Sequence, residues 1–339
     1  MTSGISVTSR EWQLVARPHG APRPGDFALR EATSPALRDG QVLVRNLYLS
    51  VDPYMRRRMD DVPSYVPPFQ LDQPMEGGAV GIVMESAADS LAVGDYVQHM
   101  LGWREYAVLD AENATPVDRA LAPVSAYLGP LGVTGLTAYA GLLRTAALKS
   151  GDVVFVSGAA GAVGSQVGQL ATLMGASRVI GSAGADDKVA LLRAYGFSEA
   201  FNYRDAPVVD QLRRAAPEGI DVYFDNVGGE HLEAALDLLN PHGRVVLCGM
   251  IAQYNHVEPA VAPRNLILAI NKRIRLQGLL ARDHTDLRPR FLAEVGGWIR
   301  DGKLRYQETI ADGIESAPQA FLDMLAGGNT GKMLVRLPA

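Results

Sequence analysis

The chain has 339 residues, 47% of them hydrophobic, which is enough apolar material for two buried cores. A net charge of −5 argues against nucleic acid as the main partner, and the single cysteine, Cys248, excludes an intrachain disulfide framework and a zinc site built on several thiolates. The N-terminus, Met1 to Arg10, is polar, and no stretch approaches the ~18 uninterrupted apolar residues of a membrane span, so a soluble cytoplasmic protein is expected.

From Trp12 to Leu109, short alternating runs such as QVLVRNLYLSV and GAVGIVMES are separated by turns, which predicts a compact, mostly antiparallel β-domain. Within it, Val51-Asp52-Pro53-Tyr54 breaks the alternation. Pro53 is expected to start a helix and Asp52 to cap it, with Arg56-Arg57-Arg58 covering its surface. Tyr54 then lies near a strand end, either half-buried in packing or facing a substrate cleft. Between Pro123 and Ala147 the pattern turns helical and leads straight into a strand at Val153. The domains are therefore read as residues 1–125, residues 126–302, and a return of residues 303–339 to the first domain.

Val153 to Ser182, VVFVSGAAGAVGSQVGQLATLMGASRVIGS, reads as a strand, a Gly-rich turn, a helix closed by Gly175 and a second strand. Gly158, Gly161 and Gly164 stand three apart, the spacing that lets a backbone pass close to a pyrophosphate and offer it helix N-terminal N–H groups. Where an acidic residue would bind the ribose hydroxyl of NAD, the second strand ends in Gly181 and Ser182, and no carboxylate follows until Asp186 and Asp187. Lys188 and the run Phe201-Asn202-Tyr203-Arg204 instead offer an ammonium, a phenol and a guanidinium to a 2′-phosphate. NADP(H) is favoured.

From there to Gly302, strands at Phe201–Tyr203, Ile220–Val227, Arg244–Gly249 and Ile274–Leu280 alternate with helices at Lys188–Tyr195, Gly229–Leu239, Arg264–Lys272 and Leu287–Arg300. That alternation predicts an α/β fold with a doubly wound parallel sheet. Asp225 to Gly229 and Cys248-Gly249-Met250 stand where strands exit into loops, the ligand-binding edge of such sheets. After Gly302 come a strand-like LRYQETI, a helix at Ser316–Leu325 and a strand at Met333–Leu337. The cluster Gly327 to Lys332 is either a hairpin bend or part of a binding site.

The segments LSVDPYMRRRM, LGVTGLTAYAGLL, SGAAGAVGSQVGQLATLMGA, FDNVGGE, RVVLCGMIAQYN, KRIRLQGLL and GGNTGKMLV span nearly the whole chain. Through them the chain resembles the zinc-free branch of the medium-chain dehydrogenase/reductase superfamily, which holds prostaglandin reductases, plant alkenal double-bond reductases and bacterial NADPH-dependent curcumin reductases. RPHGAP and RMDDVPSYVPP bring it nearest to the curcumin reductases. The resemblance implies a Rossmann domain beside a GroES-like, mostly β catalytic domain. It implies that Gly161, Ala162, Val163 and Gly164 receive the pyrophosphate, Lys188 and Tyr203 the 2′-phosphate, and that Asn226 lies by the nicotinamide ribose. Cys248, Gly249, Met250, Ile251 and Tyr254 would wall the nicotinamide, Leu279, Leu280 and Ala281 would line its far side, and Asn329 would meet its carboxamide. Where zinc relatives carry a Gly-His-Glu ligand motif, this chain has Met75-Glu76-Gly77-Gly78, so metal catalysis is not expected.

Reducing the C=C bond of an α,β-unsaturated ketone or aldehyde needs no metal: hydride adds at the β-carbon and one or two donors hold the enolate oxygen. By resemblance Tyr254 is one such donor and the cofactor ribose the other, although Ala252 stands where the family pattern has Ser. Tyr54, Met250 and Leu279 would shape the pocket, whose volume depends on the loops Asp60–Gln73 and Gln253–Pro263. NADPH quinone reduction and a non-enzymatic NADPH-binding role are the alternatives. His19, His99, His231, His242, His256 and His284 have no carboxylate or Ser partner at a suggestive spacing and read as surface or structural residues. KRIRLQGLL, at a sheet edge, is expected to pair with its copy in a homodimer.

Overall fold

A computed structural model describes residues 6–258 and 262–338, so the first five residues and the centre of the 253–263 loop lie outside the described residues. The chain divides into two compact units, one of residues 1–129 with 308–339 and one of residues 130–307. Among the described residues no helix is long and apolar enough to cross a membrane.

The first unit opens with a two-stranded antiparallel ribbon of β1 (Thr8–Leu14) and β2 (Phe27–Thr33). There follow β3 (Gln41–Ser50), the short helix α1 (Tyr54–Arg58), β4 (Ala79–Ser86), β5 (Tyr96–His99), β6 (Tyr106–Asp110) and β7 (Thr115–Pro116). β3 is the spine of a larger sheet, pairing antiparallel with both β4 and β6 and burying Val42, Leu43, Val44 and Leu49. Phe27 stacks on Trp103 at 6.3 Å between ring centroids, and Phe321 meets both rings edge-on, which anchors the unit's main core.

Two expectations about α1 are overturned here. Asp52 caps nothing, because Pro53 occupies the N-cap position in a helical conformation with no side-chain cap bond. The Asp52 carboxylate instead accepts a hydrogen bond from the Lys332 ammonium at 2.8 Å, and a buried ammonium has more need of it than a five-residue helix. Arg56 and Arg58 do not cover a surface either; only Arg57 is exposed. Arg56 binds Asp60 at 2.7 Å and the Gly20 carbonyl. Arg58 binds Glu76 at 2.8 Å and the Pro67 carbonyl, and lies 4.1 Å over the Phe69 ring. The fork of guanidinium donors thereby serves loop carbonyls that no strand ladder reaches.

The second unit begins with α2 (Val133–Ala140), which runs on through a wider turn at residues 141–145. It then alternates β8 (Val153–Val156), α3 (Gly164–Leu173), β9 (Arg178–Ala183), α4 (Asp186–Ala194), β10 (Glu199–Asn202), α5 (Val208–Ala215), β11 (Ile220–Asp225), α6 (Gly229–Leu238), β12 (Leu239–Leu247), α7 (Leu268–Lys272), β13 (Arg275–Gly278) and α8 (Arg288–Arg300). All five strand pairings are parallel, in the order β10-β9-β8-β11-β12-β13, which is the expected doubly wound sheet. α5 went unread because its charged sequence buries only Val208, Gln211 and Leu212. β12 starts at Leu239 rather than Arg244: His242 takes a φ of +66°, and the irregular register beside it lets the strand pair through the bend. α7 begins at Leu268 rather than Arg264, after a series of turns.

The chain ends with β14 (Glu308–Asp312), α9 (Ala317–Leu325) and β15 (Lys332–Arg336), where β15 lies parallel to β14 and antiparallel to β3.

Candidate functional site

In the second unit the strand order reverses between β8 and β11, and the carboxyl ends of these neighbours are where a sheet of this kind places its ligand crevice. The Gly-rich turn lies there. Gly158 takes a φ of +57°, and a Cβ added at Gly164 would stand 2.5 Å from the Gly158 carbonyl oxygen. Only glycine allows the turn to fold back this tightly onto the start of α3. Ala162 and Val163 lead into the ten-residue helix α3, which starts at Gly164 with Val163 as its N-cap; the N–H groups at such a start have no intrahelical partners, and the helix dipole there favours an anion.

A second group forms where β9 and β10 end. Tyr203 follows β10 and hydrogen-bonds the Ala183 carbonyl at 3.0 Å through its backbone N–H. Its hydroxyl lies across Gly184, 2.6 Å from where a Cβ would stand, so a side chain at that position would displace the ring. Arg204 sits 5.9 Å from the Tyr203 ring centroid. Burial holds the Lys188 ammonium below its usual pKa; Asp187 opposes this and the nearby Arg204 charge adds to it. Asp186 accepts a hydrogen bond from Asn202 Nδ2 at 2.9 Å, and Asp187 one from the Lys188 backbone N–H. Two cations and a phenol therefore gather where β9 and β10 end, with Asp186 and Asp187 beside them in the first turn of α4, a donor set suited to a dianionic phosphate.

The third group comes from the loops after β11 and β12. Asn226 donates to the Ser157 carbonyl at 2.8 Å, and its own carbonyl accepts the Ile251 N–H at 3.3 Å. Tyr254 folds back so that its hydroxyl accepts the Met250 N–H at 3.4 Å over Gly249. A phenol hydroxyl can donate as well as accept. Burial, reinforced by the charge of Asp225, pushes the Cys248 thiol up to about 12, which makes it a poor nucleophile. A cavity of about 270 Å³ opens beside this loop, lined by Gly229, Leu232, Glu233, Met250, Gln253, Ala262 and Pro263. Leu279 is buried after β13, against Gly141 and Phe224, with Leu280 and Ala281 half-buried behind it.

Tyr54 and Asn329 belong to the first unit. Tyr54 opens α1 with its hydroxyl buried and without a hydrogen-bond partner among the described residues, and burial, followed by the Asp52 charge, raises its pKa. Asn329 closes its own turn through a 2.8 Å bond to the Gly331 carbonyl. Among the described residues no group of three or more His, Cys, Asp or Glu is placed to hold a metal ion. What the sequence reading missed is the pair Ser157 and Tyr223, which meet the buried Asp225 carboxylate beneath the crevice. A carboxylate ending the apolar strand run Tyr223-Phe224-Asp225, just before Gly228-Gly229, was the available signal.

Residues 10–117 match the family described as the N-terminal domain of oxidoreductase, and residues 162–295 the one described as zinc-binding dehydrogenase. Over 98% of its length the chain is 43% identical to a Bacillus subtilis protein named as an NADP-dependent oxidoreductase, covering 99% of it. The NADPH-dependent curcumin reductase of Escherichia coli is 40% identical, with 97% of both chains covered. The chain belongs to the medium-chain dehydrogenase/reductase superfamily. It is an oxidoreductase of the branch that holds the curcumin, alkenal and prostaglandin reductases. Among solved medium-chain reductases, the CurA protein of Vibrio vulnificus in complex with NADPH is 39% identical, with a TM-score of 0.92 over 97% of this chain and 99% of that one. The Escherichia coli quinone oxidoreductase, at 21% identity and a TM-score of 0.78, shares the fold.

Proposed function

We propose that this protein uses NADPH to reduce the C=C bond of α,β-unsaturated ketones and aldehydes of the curcumin or alkenal type. The observation that carries the cofactor choice is the convergence of Lys188, Tyr203 and Arg204 at the ends of β9 and β10. The N–H groups of Ala162, Val163 and Gly164 would hold the pyrophosphate, with Gly161 keeping the turn close, and the Lys188–Arg204 group would hold the 2′-phosphate. Bound NADPH supplies a hydride. The chain's own part is to orient and stabilise: Asn226 and the Cys248–Ile251 loop form the wall, Leu279, Leu280 and Ala281 add apolar surface, and Asn329 contributes an amide. Tyr254 donates a hydrogen bond to the substrate oxygen as it becomes an enolate and passes a proton on to the α-carbon. The unpartnered Tyr54 hydroxyl is the second polar group we assign to the substrate.

The test is the decay of NADPH absorbance with a panel of enals, enones and quinones, together with identification of the saturated product. Loss of NADPH without saturated product, or with quinones only, would replace this reading with quinone reduction. Tight NADPH binding with no decay on any acceptor would indicate a binding protein.

We further propose a cytoplasmic homodimer. β13 edges the six-stranded sheet, and the preceding segment exposes Ile267 and Ile270. A monomeric mass by light scattering at micromolar concentration would refute the dimer.

A further inference from the structure

The loops that form the crevice share one buried anchor. Asp225 ends β11 with 0% exposure, and its Oδ1 accepts four hydrogen bonds: from Tyr223 Oη at 2.6 Å, Gly228 N at 2.8 Å, Val227 N at 2.9 Å and Ser157 Oγ at 3.2 Å. Ser157 Oγ in turn accepts the Asn226 N–H at 3.0 Å. The Asp225 main-chain carbonyl accepts the N–H groups of Cys248 and Gly249 at 2.9 and 3.0 Å. One residue therefore ties the exit of β8, its own exit and the exit of β12, which carry the Gly-rich turn, Asn226 and the Tyr254 loop.

The anchor is built at a cost. Oδ2 is buried and has no hydrogen-bond partner among the described residues, and burial pushes the carboxyl pKa up while the bonds from Tyr223, Gly228, Val227 and Ser157 pull it back down. A buried carboxylate crowded on one oxygen and bare on the other is a poor way to gain stability. It is a good way to fix backbone amides, because charge-assisted bonds hold them more tightly than neutral ones. Gly228 and Gly229, at φ of +75° and +53°, follow at once, so the turn depends on those bonds for its shape.

We propose that Asp225 is a positioning residue for hydride transfer, acting through the Val227, Gly228 and Ser157 bonds to set the spacing between the cofactor turn and the Tyr254 loop. This rests on the reductase reading, so wild-type NADPH binding and enone turnover are measured first; failure there defeats that reading and not this one. Asp225→Ala removes the acceptor, and Asp225→Asn keeps Oδ1 while removing the charge. Each variant is assayed well below its melting temperature, with kcat expressed per NADPH-binding site titrated by fluorescence and with the primary isotope effect from deuterated NADPH. Asp225→Ala should lower kcat per site about 10- to 100-fold, more than it weakens NADPH binding, with a changed isotope effect, as misplaced reacting atoms demand. Asp225→Asn, which keeps a neutral acceptor, should recover part of the loss and give a kcat per site between those of Asp225→Ala and wild type. A kcat per site within about twofold of wild type for Asp225→Ala, or an Asp225→Asn enzyme as impaired as Asp225→Ala, would overturn the proposal. Should Asp225→Ala fail to fold, the double variant Ser157→Ala/Tyr223→Phe removes two of the four donors. It should give an intermediate loss of kcat per site; an unchanged kcat and isotope effect would overturn the proposal equally.

Discussion

The two units both gather charge near strand ends, and they do it in opposite ways. Around α1 of the first unit every buried cation faces a carboxylate: Arg56 meets Asp60, Arg58 meets Glu76 and Lys332 meets Asp52. At the ends of β9 and β10 in the second unit, burial lowers the proton affinity of Lys188, the Asp187 charge opposes this, and the like charge of Arg204 lowers it further. Opposite charges brought together close a loop against its own framework. Like charges brought together create a field that an incoming anion relieves, here beside the opposing charge of Asp187. By that criterion the first cluster is structural, the second fits the phosphate-binding role proposed for it, and substitutions in each should behave accordingly.

The largest effect should come from the first cluster. Lys332→Met leaves Asp52 facing an apolar neighbour and should cost about 3–5 kcal/mol in urea denaturation, with much of it regained in Lys332→Met/Asp52→Asn. A loss below about 1 kcal/mol would place this pair with ordinary surface bridges. Next comes Tyr254→Phe, which should lower kcat on a good enone about 100-fold while leaving the melting temperature unchanged, as with other oxyanion donors. An unaltered kcat would remove Tyr254 from the chemistry. Arg204→Ala should weaken NADPH binding about tenfold by calorimetry and leave NADH binding untouched, the expected loss for one charged phosphate contact. Equal weakening of both coenzymes would mean that Arg204 does not read the 2′-phosphate.

The same contrast explains what could be read from the sequence. The doubly wound sheet was legible because its strands are short apolar runs and its turn is marked by glycines whose spacing has a steric cause, visible here at Gly158 and Gly164. Tyr203 and Arg204 were legible because they follow the end of β10 directly, and Lys188 because it stands in the first turn of α4, soon after β9. The burial of Arg56 and Arg58 was not, since nothing local distinguishes a solvated arginine from one that ties distant loop carbonyls at Gly20 and Pro67. Asp52 misled for a related reason: a residue that caps helices well was claimed by an ammonium 280 positions along the chain. Ser157 follows β8 and Tyr223 lies in β11, and the two meet only through the parallel register of those strands.

The smallest effect concerns a histidine that the sequence left among the structural ones. His99 is 3% exposed; its Nδ1 accepts the Leu101 N–H at 3.1 Å and its Nε2 lies 2.9 Å from Asn46 Oδ1, which fixes the neutral tautomer with the proton on Nε2. A second proton would have to enter at Nδ1, against a backbone donor. Burial, assisted by the charge of Arg104, lowers the pKa to about 3. The unfolded chain titrates near 6.5, so between about 6.5 and about 3 the unfolded state binds more protons than the folded one. Stability from this residue is therefore full above the unfolded value and falls as the pH drops, by about 1 kcal/mol at one unit below it. Denaturant midpoints measured from pH 7 downward should show this loss, and His99→Gln, which cannot titrate, should show a slope shallower by one proton. Equal slopes would mean that the ring gains its proton in the folded state as readily as in the unfolded one, and that the Leu101 bond does not hold the tautomer.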